Sequence, residues 1–163
     1  MKQLEIKTLI KECGIDELSE LERELVEQAK EATRRAYAPY SNFQVGAAIL
    51  MGNGKIVMGS NQENAAYTSG LCAERTALFY AASANAASPV KKIAVAAWTP
   101  PEDPKKWEEG FQKEPISPCG ACRQALLEYE KLYGDIELIL YGRDKIYILP
   151  SVASLLPLGF TEF

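Results

Sequence analysis

The chain contains no histidine among its 163 residues. Any zinc ligand set must therefore come from cysteine and carboxylate side chains. Also missing is any apolar run near the roughly 20 residues that a membrane helix requires. The opening stretch, Met1-Lys2-Gln3-Leu4-Glu5-Ile6-Lys7, lacks the long hydrophobic core of a signal peptide. There is no basic excess: 18 Lys and Arg against 22 Asp and Glu leave a formal charge of −4. Polynucleotide binding draws most of its affinity from neutralised phosphates, so an acidic chain argues against nucleic acid as the partner. The expectation is a cytoplasmic protein that binds neither membrane nor nucleic acid.

What is present fits one globular domain over residues 1–163, with 47% apolar and 25% charged residues. Four cysteines allow two disulfides. In a reducing compartment, a Cys-x-x-Cys pair plus a third cysteine reads better as metal ligation or redox chemistry. Cys13 sits in a polar lead-in (1–17) and reads as a spectator.

Apolar residues at Leu18, Leu21, Leu25, Ala29, Ala32 and Ala36 follow one helical face, and Pro39 ends it. Ser19 with Glu22 forms a capping-box pattern, and Asp16 is an equally good cap. Phe43 to Met51 and Lys55 to Ser60 read as strands joined by Gly52-Asn53-Gly54, a hairpin signal. A polar loop follows, then a helix from about Leu71 to Ala87. Ile93 to Trp98 reads as a buried strand. The segment 99–116 carries four prolines and reads as an exposed insertion, either an ordinary solvated connection or a flap over the site. Ser117 is the expected N-cap of the next helix, with Pro118 at its first position, and Gly134 ends it. Strands Ile136 to Tyr141 and Lys145 to Leu149 follow, then a short helix capped by Ser151. The order is α-β-β-α-β-α-β-β-α, with no internal repeat and no dividing linker.

The chemistry concentrates in Cys72-Ala73-Glu74 and Pro118-Cys119-Gly120-Ala121-Cys122. Three thiolates can hold one zinc ion per chain and leave the fourth tetrahedral position open, the pattern of a catalytic site. Glu74, two residues from Cys72, is placed to move a water proton. This is the cysteine form of the zinc-deaminase signature. Both motifs fall at helix starts, where orphan N–H groups favour thiolate over thiol. Three thiolates on Zn²⁺ leave a net charge of about −1, which makes a bound water less acidic. Arg75 and Arg123 are the candidate compensating cations, and Arg75 is the one expected to hydrogen-bond the thiolates. A lone Cys-x-x-Cys also suits a thioredoxin-type redox pair or a structural zinc site. The first leaves Cys72 and Glu74 unexplained; the second needs a fourth ligand, and Cys13 is the only spare thiol.

At these residues the chain resembles the small, three-cysteine cytidine deaminases. The resemblance extends to Ala36-Tyr37-Ala38-Pro39-Tyr40-Ser41-Asn42-Phe43-Gln44-Val45-Gly46-Ala47-Ala48, to Asn61-Gln62-Glu63-Asn64-Ala65-Ala66-Tyr67, and to the runs Cys72–Ala77 and Ser117–Gln124. It covers roughly residues 20–160. It implies a three-layer α-β-α domain with a mixed five-stranded sheet, and zinc-dependent deamination of cytidine and deoxycytidine to uridine and deoxyuridine plus ammonia. It further implies that Asn61 and Glu63 bind the ribose 3′-hydroxyl, that Phe43 packs on the pyrimidine, and that the Ala73 N–H holds the pyrimidine carbonyl. Members of this size are usually homotetramers with shared sites, which makes Ala65, Tyr67 and Phe160 contacts across subunits. A deaminase of another cytosine-bearing small molecule, such as blasticidin S, shares the zinc motifs; the Asn61–Glu63 pair favours a plain ribose. The departures are the long 99–116 segment, the lead-in, and Gln62 where an apolar residue is more usual.

Overall fold

The computed structural model describes residues 1–162; Phe163, the last residue of the expected 1–163 domain, lies outside the described residues. Strand β2 (Gln44–Met51) carries the pattern that organises the molecule. Its residues alternate between two cores. Ala47 and Ile49 pack with Ala77, Leu78 and Leu126 on one side. Ala48 and Leu50 pack with Leu25, Val26 and Ala29 on the other. A strand buried on both faces must lie between helix layers. Accordingly, α1 (Glu20–Thr33) covers one face, and α2 (Ala73–Ala84) with α3 (Gly120–Tyr133) covers the other.

The sheet has six strands rather than the expected five, in the order β1-β6-β5-β4-β2-β3. The additional one is β1 (Lys11–Cys13), which pairs antiparallel with β6 (Ile146–Leu149), Lys11 opposite Ile148, and forms the sheet edge. Three residues with no apolar alternation give no strand signal of their own; the open edge of β6 supplies the pairing. Strand β4 (Val90–Trp98) runs parallel to β5 (Glu137–Tyr141) and antiparallel to β2, so the sheet is mixed. Strand β3 (Ile56–Ser60) closes the hairpin with β2, where Gly54 adopts φ +82°. Among the described residues, no helix is long and apolar enough to cross a membrane.

Local capping matches sequence chemistry at α1. The Ser19 hydroxyl accepts from the Glu22 N–H, and the Glu22 carboxylate accepts from the Ser19 N–H at 2.9 Å. At α3 the cap differs from expectation. Cys119, with ψ 165°, is the N-cap and the helix begins at Gly120. The Ser117 hydroxyl instead accepts from Arg123 Nη2 at 3.0 Å. The closing helix is a single 3₁₀ turn, Val152–Leu155, capped by Ser151 as expected.

The 99–116 segment is only partly a solvated connection. Its Phe111 is 2% exposed and packs in the core beneath α1. The Phe111 ring meets Trp107 and Tyr141 edge-on at centroid distances of 4.7 and 5.6 Å. The Trp98 indole N–H donates to the Trp107 carbonyl at 2.8 Å, and the Arg34 guanidinium stacks 3.9 Å over the Trp107 ring. Buried Lys30 pairs with Glu27 and Glu108 at 2.9 and 3.1 Å. The insertion is thus clamped to the α1 layer, whereas both cysteine motifs start helices on the opposite layer.

Candidate active site

Gly59 of β3 lets the first turn of α2 approach the sheet. A Cβ there would run into the Ala73 carbonyl and the Ala77 amide. That approach brings the start of α2 beside the start of α3. Cys72 is the N-cap of α2 and Cys119 the N-cap of α3, with Cys122 one turn further. Their sulfurs converge: Cys72 to Cys119 is 3.8 Å, Cys119 to Cys122 is 3.5 Å, and all three lie within 4.8 Å of one another.

This arrangement fits zinc. Tetrahedral ligation with Zn–S bonds of about 2.3 Å demands sulfur separations of roughly 3.8 Å. The donor set is right in kind too, since soft thiolates select zinc over hard cations. Two helix N-termini supply positive potential to the cluster. Arg75 adds a formal charge: its Nη2 lies 3.8 Å from Cys72 Sγ, and its Nε is buried without a hydrogen-bond partner.

Hydrogen bonding from Cys122, aided by Arg75 and Cys119, holds the Cys72 thiol down at about 5. The same bond to Cys72, with burial, pushes Cys122 upward. Glu74, 4% exposed in the first turn of α2, is pushed up chiefly by burial, with the charge at Cys72 adding. A carboxyl held in this way keeps its proton to a higher pH than an ordinary glutamate.

A cavity of about 350 Å³ opens beside Cys72, and Tyr40, Asn61, Glu63, Tyr67 and Arg75 are in its wall. The Asn61 amide is bound to the start of β2, accepting from the Val45 N–H at 2.8 Å and donating to the Phe43 carbonyl at 2.9 Å. Glu63 accepts from the Tyr40 N–H at 2.8 Å and from the Ser41 hydroxyl at 2.6 Å. Those bonds, the hydroxyl's first, hold its carboxyl below the usual range. Gln62 exchanges backbone hydrogen bonds with Leu71, which ties the loop down directly before Cys72.

Of the remaining expected site residues, Phe43 is half-buried and packs against the α2/α3 core, and Ala73 is buried as the first residue of α2. Ala65 is exposed, as are Tyr67 at 83% and Phe160 at 65%. Tyr67 lies on the cavity; Ala65 and Phe160 do not line it. Arg123 differs from its candidate role, since its described hydrogen bonds go to oxygen acceptors and none to sulfur. Ser41 and Tyr40 went unassigned in the sequence although they hold Glu63. The only sequence signal for them is their place two and three residues before Phe43.

Three convergent thiol donors, a buried carboxyl and a cavity of small-molecule size, on an α-β-α scaffold, are the parts that a zinc-dependent hydrolase requires. Residues 19–133 match the family model described as the cytidine and deoxycytidylate deaminase zinc-binding region. The chain belongs to the cytidine deaminase family. It is 42% identical over 146 residues to the cytidine deaminase of Halalkalibacterium halodurans, covering 84% of this chain and 92% of that protein. It is 41% identical over 138 residues to that of Sporosarcina psychrophila, covering 85% and 90%. Among solved structures, the cytidine deaminase of Burkholderia pseudomallei superposes with a TM-score of 0.70 at 41% identity, over 84% of this chain and 97% of that one. The enzyme from Mycobacterium tuberculosis superposes with a TM-score of 0.64 at 29% identity, over 85% and 96%.

Proposed function

We propose that this chain is a cytidine deaminase of pyrimidine salvage, hydrolysing cytidine and deoxycytidine to uridine and deoxyuridine with release of ammonia. The observation that carries the reading is the burial of Glu74 on the same helix start as Cys72, beside the three-sulfur cluster. Family membership and the activities named for its relatives support it.

Cys72, Cys119 and Cys122 would hold a zinc ion, which would lower the pKa of a bound water. Glu74 takes a proton from that water and gives it to ring nitrogen N3, which makes C4 electrophilic. The water oxygen adds to C4 as the C4–N3 π bond opens. Glu74 then delivers the second water proton to the exocyclic amine. The C4–N bond breaks, ammonia leaves and the carbonyl of uridine forms, so one water is consumed per ammonia released. Arg75 stabilises the thiolate charge throughout.

Substrate placement falls to the surrounding loops. Asn61 and Glu63 bind the ribose 3′-hydroxyl, and Phe43 packs on the pyrimidine. The Ala73 N–H, one of the unsatisfied amides of the first helical turn, holds the pyrimidine carbonyl. Exposed Ala65, Tyr67 and Phe160 complete neighbouring sites in a cytoplasmic homotetramer. The deciding experiment is an ultraviolet assay with cytidine beside Glu74→Gln, with zinc per chain quantified. Cytidine loss and ammonia release by the parent, reduced about 10²–10⁴-fold in a zinc-replete variant, is the expected result. Near-normal turnover by Glu74→Gln would refute the proton-transfer role, and bound zinc without turnover of either nucleoside would refute the substrate.

A further inference from the structure

Arg123 follows Cys122 directly, yet it is hydrogen-bonded to three oxygens in three different places. Its Nε donates to the Pro118 carbonyl at 2.7 Å, its Nη1 to the Leu155 carbonyl at 3.0 Å and its Nη2 to the Ser117 hydroxyl at 3.0 Å. The Pro118 carbonyl belongs to the planar peptide that leads into Cys119. Fixing that oxygen fixes the plane from which the Cys119 side chain departs. The Cys119 N-cap has no side-chain cap bond of its own to do this.

The far end of the bridge is itself anchored. Leu155 ends the 3₁₀ turn Val152–Leu155, and buried Glu130, two turns along α3 from Arg123, holds the start of that turn. The Glu130 carboxylate accepts from the Val152 and Ala153 N–H groups at 2.7 and 2.9 Å and from the Ser151 hydroxyl at 2.8 Å. It also accepts from the Ile136 N–H at 2.9 Å. Two residues of α3 thus clamp one C-terminal turn, and through it the Ser117–Pro118 segment.

We propose that Arg123 is a positioning residue for the metal. It ties the Ser117–Pro118 segment to the C-terminal turn and so keeps Cys119 Sγ at ligating distance from Cys122 Sγ. The inference rests on the reading of the three cysteines as zinc ligands. It assigns the two arginines different tasks: Arg75 meets the sulfur charge, and Arg123 sets ligand geometry without touching sulfur. The fork matters, because three donors in one plane meet three separate acceptors. A lysine ammonium on a flexible stem does not reproduce that geometry.

Metal binding, measured apart from turnover, tests this. Metal-free protein is titrated with zinc against a chromophoric chelator for the parent, Arg123→Lys and Ser117→Ala, and the visible spectrum of each cobalt-substituted form is recorded. Loss of a residue that orients a ligand costs about 10–100-fold in metal affinity. Arg123→Lys is expected to lose zinc affinity in that range and to alter the cobalt band positions, with Ser117→Ala showing a smaller loss. Parent-like zinc affinity and cobalt spectrum in Arg123→Lys would overturn the proposal, even if its melting temperature fell. Turnover is not part of the readout, so normal metal binding in a parent inactive on cytidine would refute only the functional reading.

Discussion

Arg75 Nη2 stands 3.8 Å from Cys72 Sγ while Arg75 Nε is buried with no hydrogen-bond partner. A buried unpaired donor carries a desolvation cost, and here proximity to thiolate charge offsets it. Replacing Arg75 with glutamine removes the one formal positive charge on the cavity wall among the described residues. A zinc-bound water facing more uncompensated negative charge holds its proton more tightly, so the pH at which activity appears should rise. A pH–activity profile superposing on the parent's would refute the compensating role.

Glu63 is fixed by the Ser41 hydroxyl and the Tyr40 amide, and both keep it ionised. A fixed carboxylate can accept from the ribose 3′-hydroxyl. Losing that acceptor, Glu63→Ala should lower kcat/KM for cytidine roughly 10–100-fold. The same variant should barely affect 3′-deoxycytidine, which lacks the hydroxyl. Equal losses on both nucleosides would mean that Glu63 shapes the loop rather than reads the sugar.

Lys92 of β4 bridges Glu22 of α1 and Glu137 of β5, each at 2.7 Å. The Lys92 hydrogen bond, with further bonds from Ser19, holds the Glu22 carboxyl down at about 2 from an ordinary 4.5. A depressed carboxyl stabilises the fold above its unfolded pKa and loses that contribution as pH falls from about 4.5 toward 2. Glu22→Gln should therefore cost about 1–3 kcal/mol at pH 7 and show a flatter stability curve below pH 5. Urea unfolding at pH 7, 5 and 3 measures both; parallel curves would remove Glu22 from the acid response.

Phe111 anchors the insertion in the α1 core. Truncating a buried aromatic costs about 3–5 kcal/mol. Phe111→Ala should lose stability on that scale while its folded fraction keeps the parent kcat/KM for cytidine. A specific loss of activity in the folded variant would show that the insertion reaches the site.

Much of this molecule is local in origin and was legible in the chain. The Ser19–Glu22 capping box, the Gly52-Asn53-Gly54 hairpin and the period-3.6 stripe of α1 depend on neighbours within a few residues, although that stripe was read through Ala36 and the helix ends at Thr33. So does the spacing that sets Cys72 and Cys119 at helix starts. Strand β1 carried no pattern because the edge of β6, more than 130 residues away, is what makes it a strand. Phe111 looked like loop because proline and charge surround it, and only the aromatic pocket beneath α1 buries it.

By itself the sequence determined the site chemistry, three cysteine donors and one nearby glutamate at fixed spacing, with no histidine to compete. That suffices for zinc and for the family, because ligand chemistry resides in side-chain identity. Tertiary structure alone decided which acceptors the two arginines meet. Arg75 and Arg123 each follow a site residue and look equivalent in the chain. Their acceptors separate them: a sulfur three residues back for Arg75, and for Arg123 oxygens that include a carbonyl 32 residues away. A guanidinium goes where acceptors are left unpaired, and the positions of those acceptors exist only once the chain has folded.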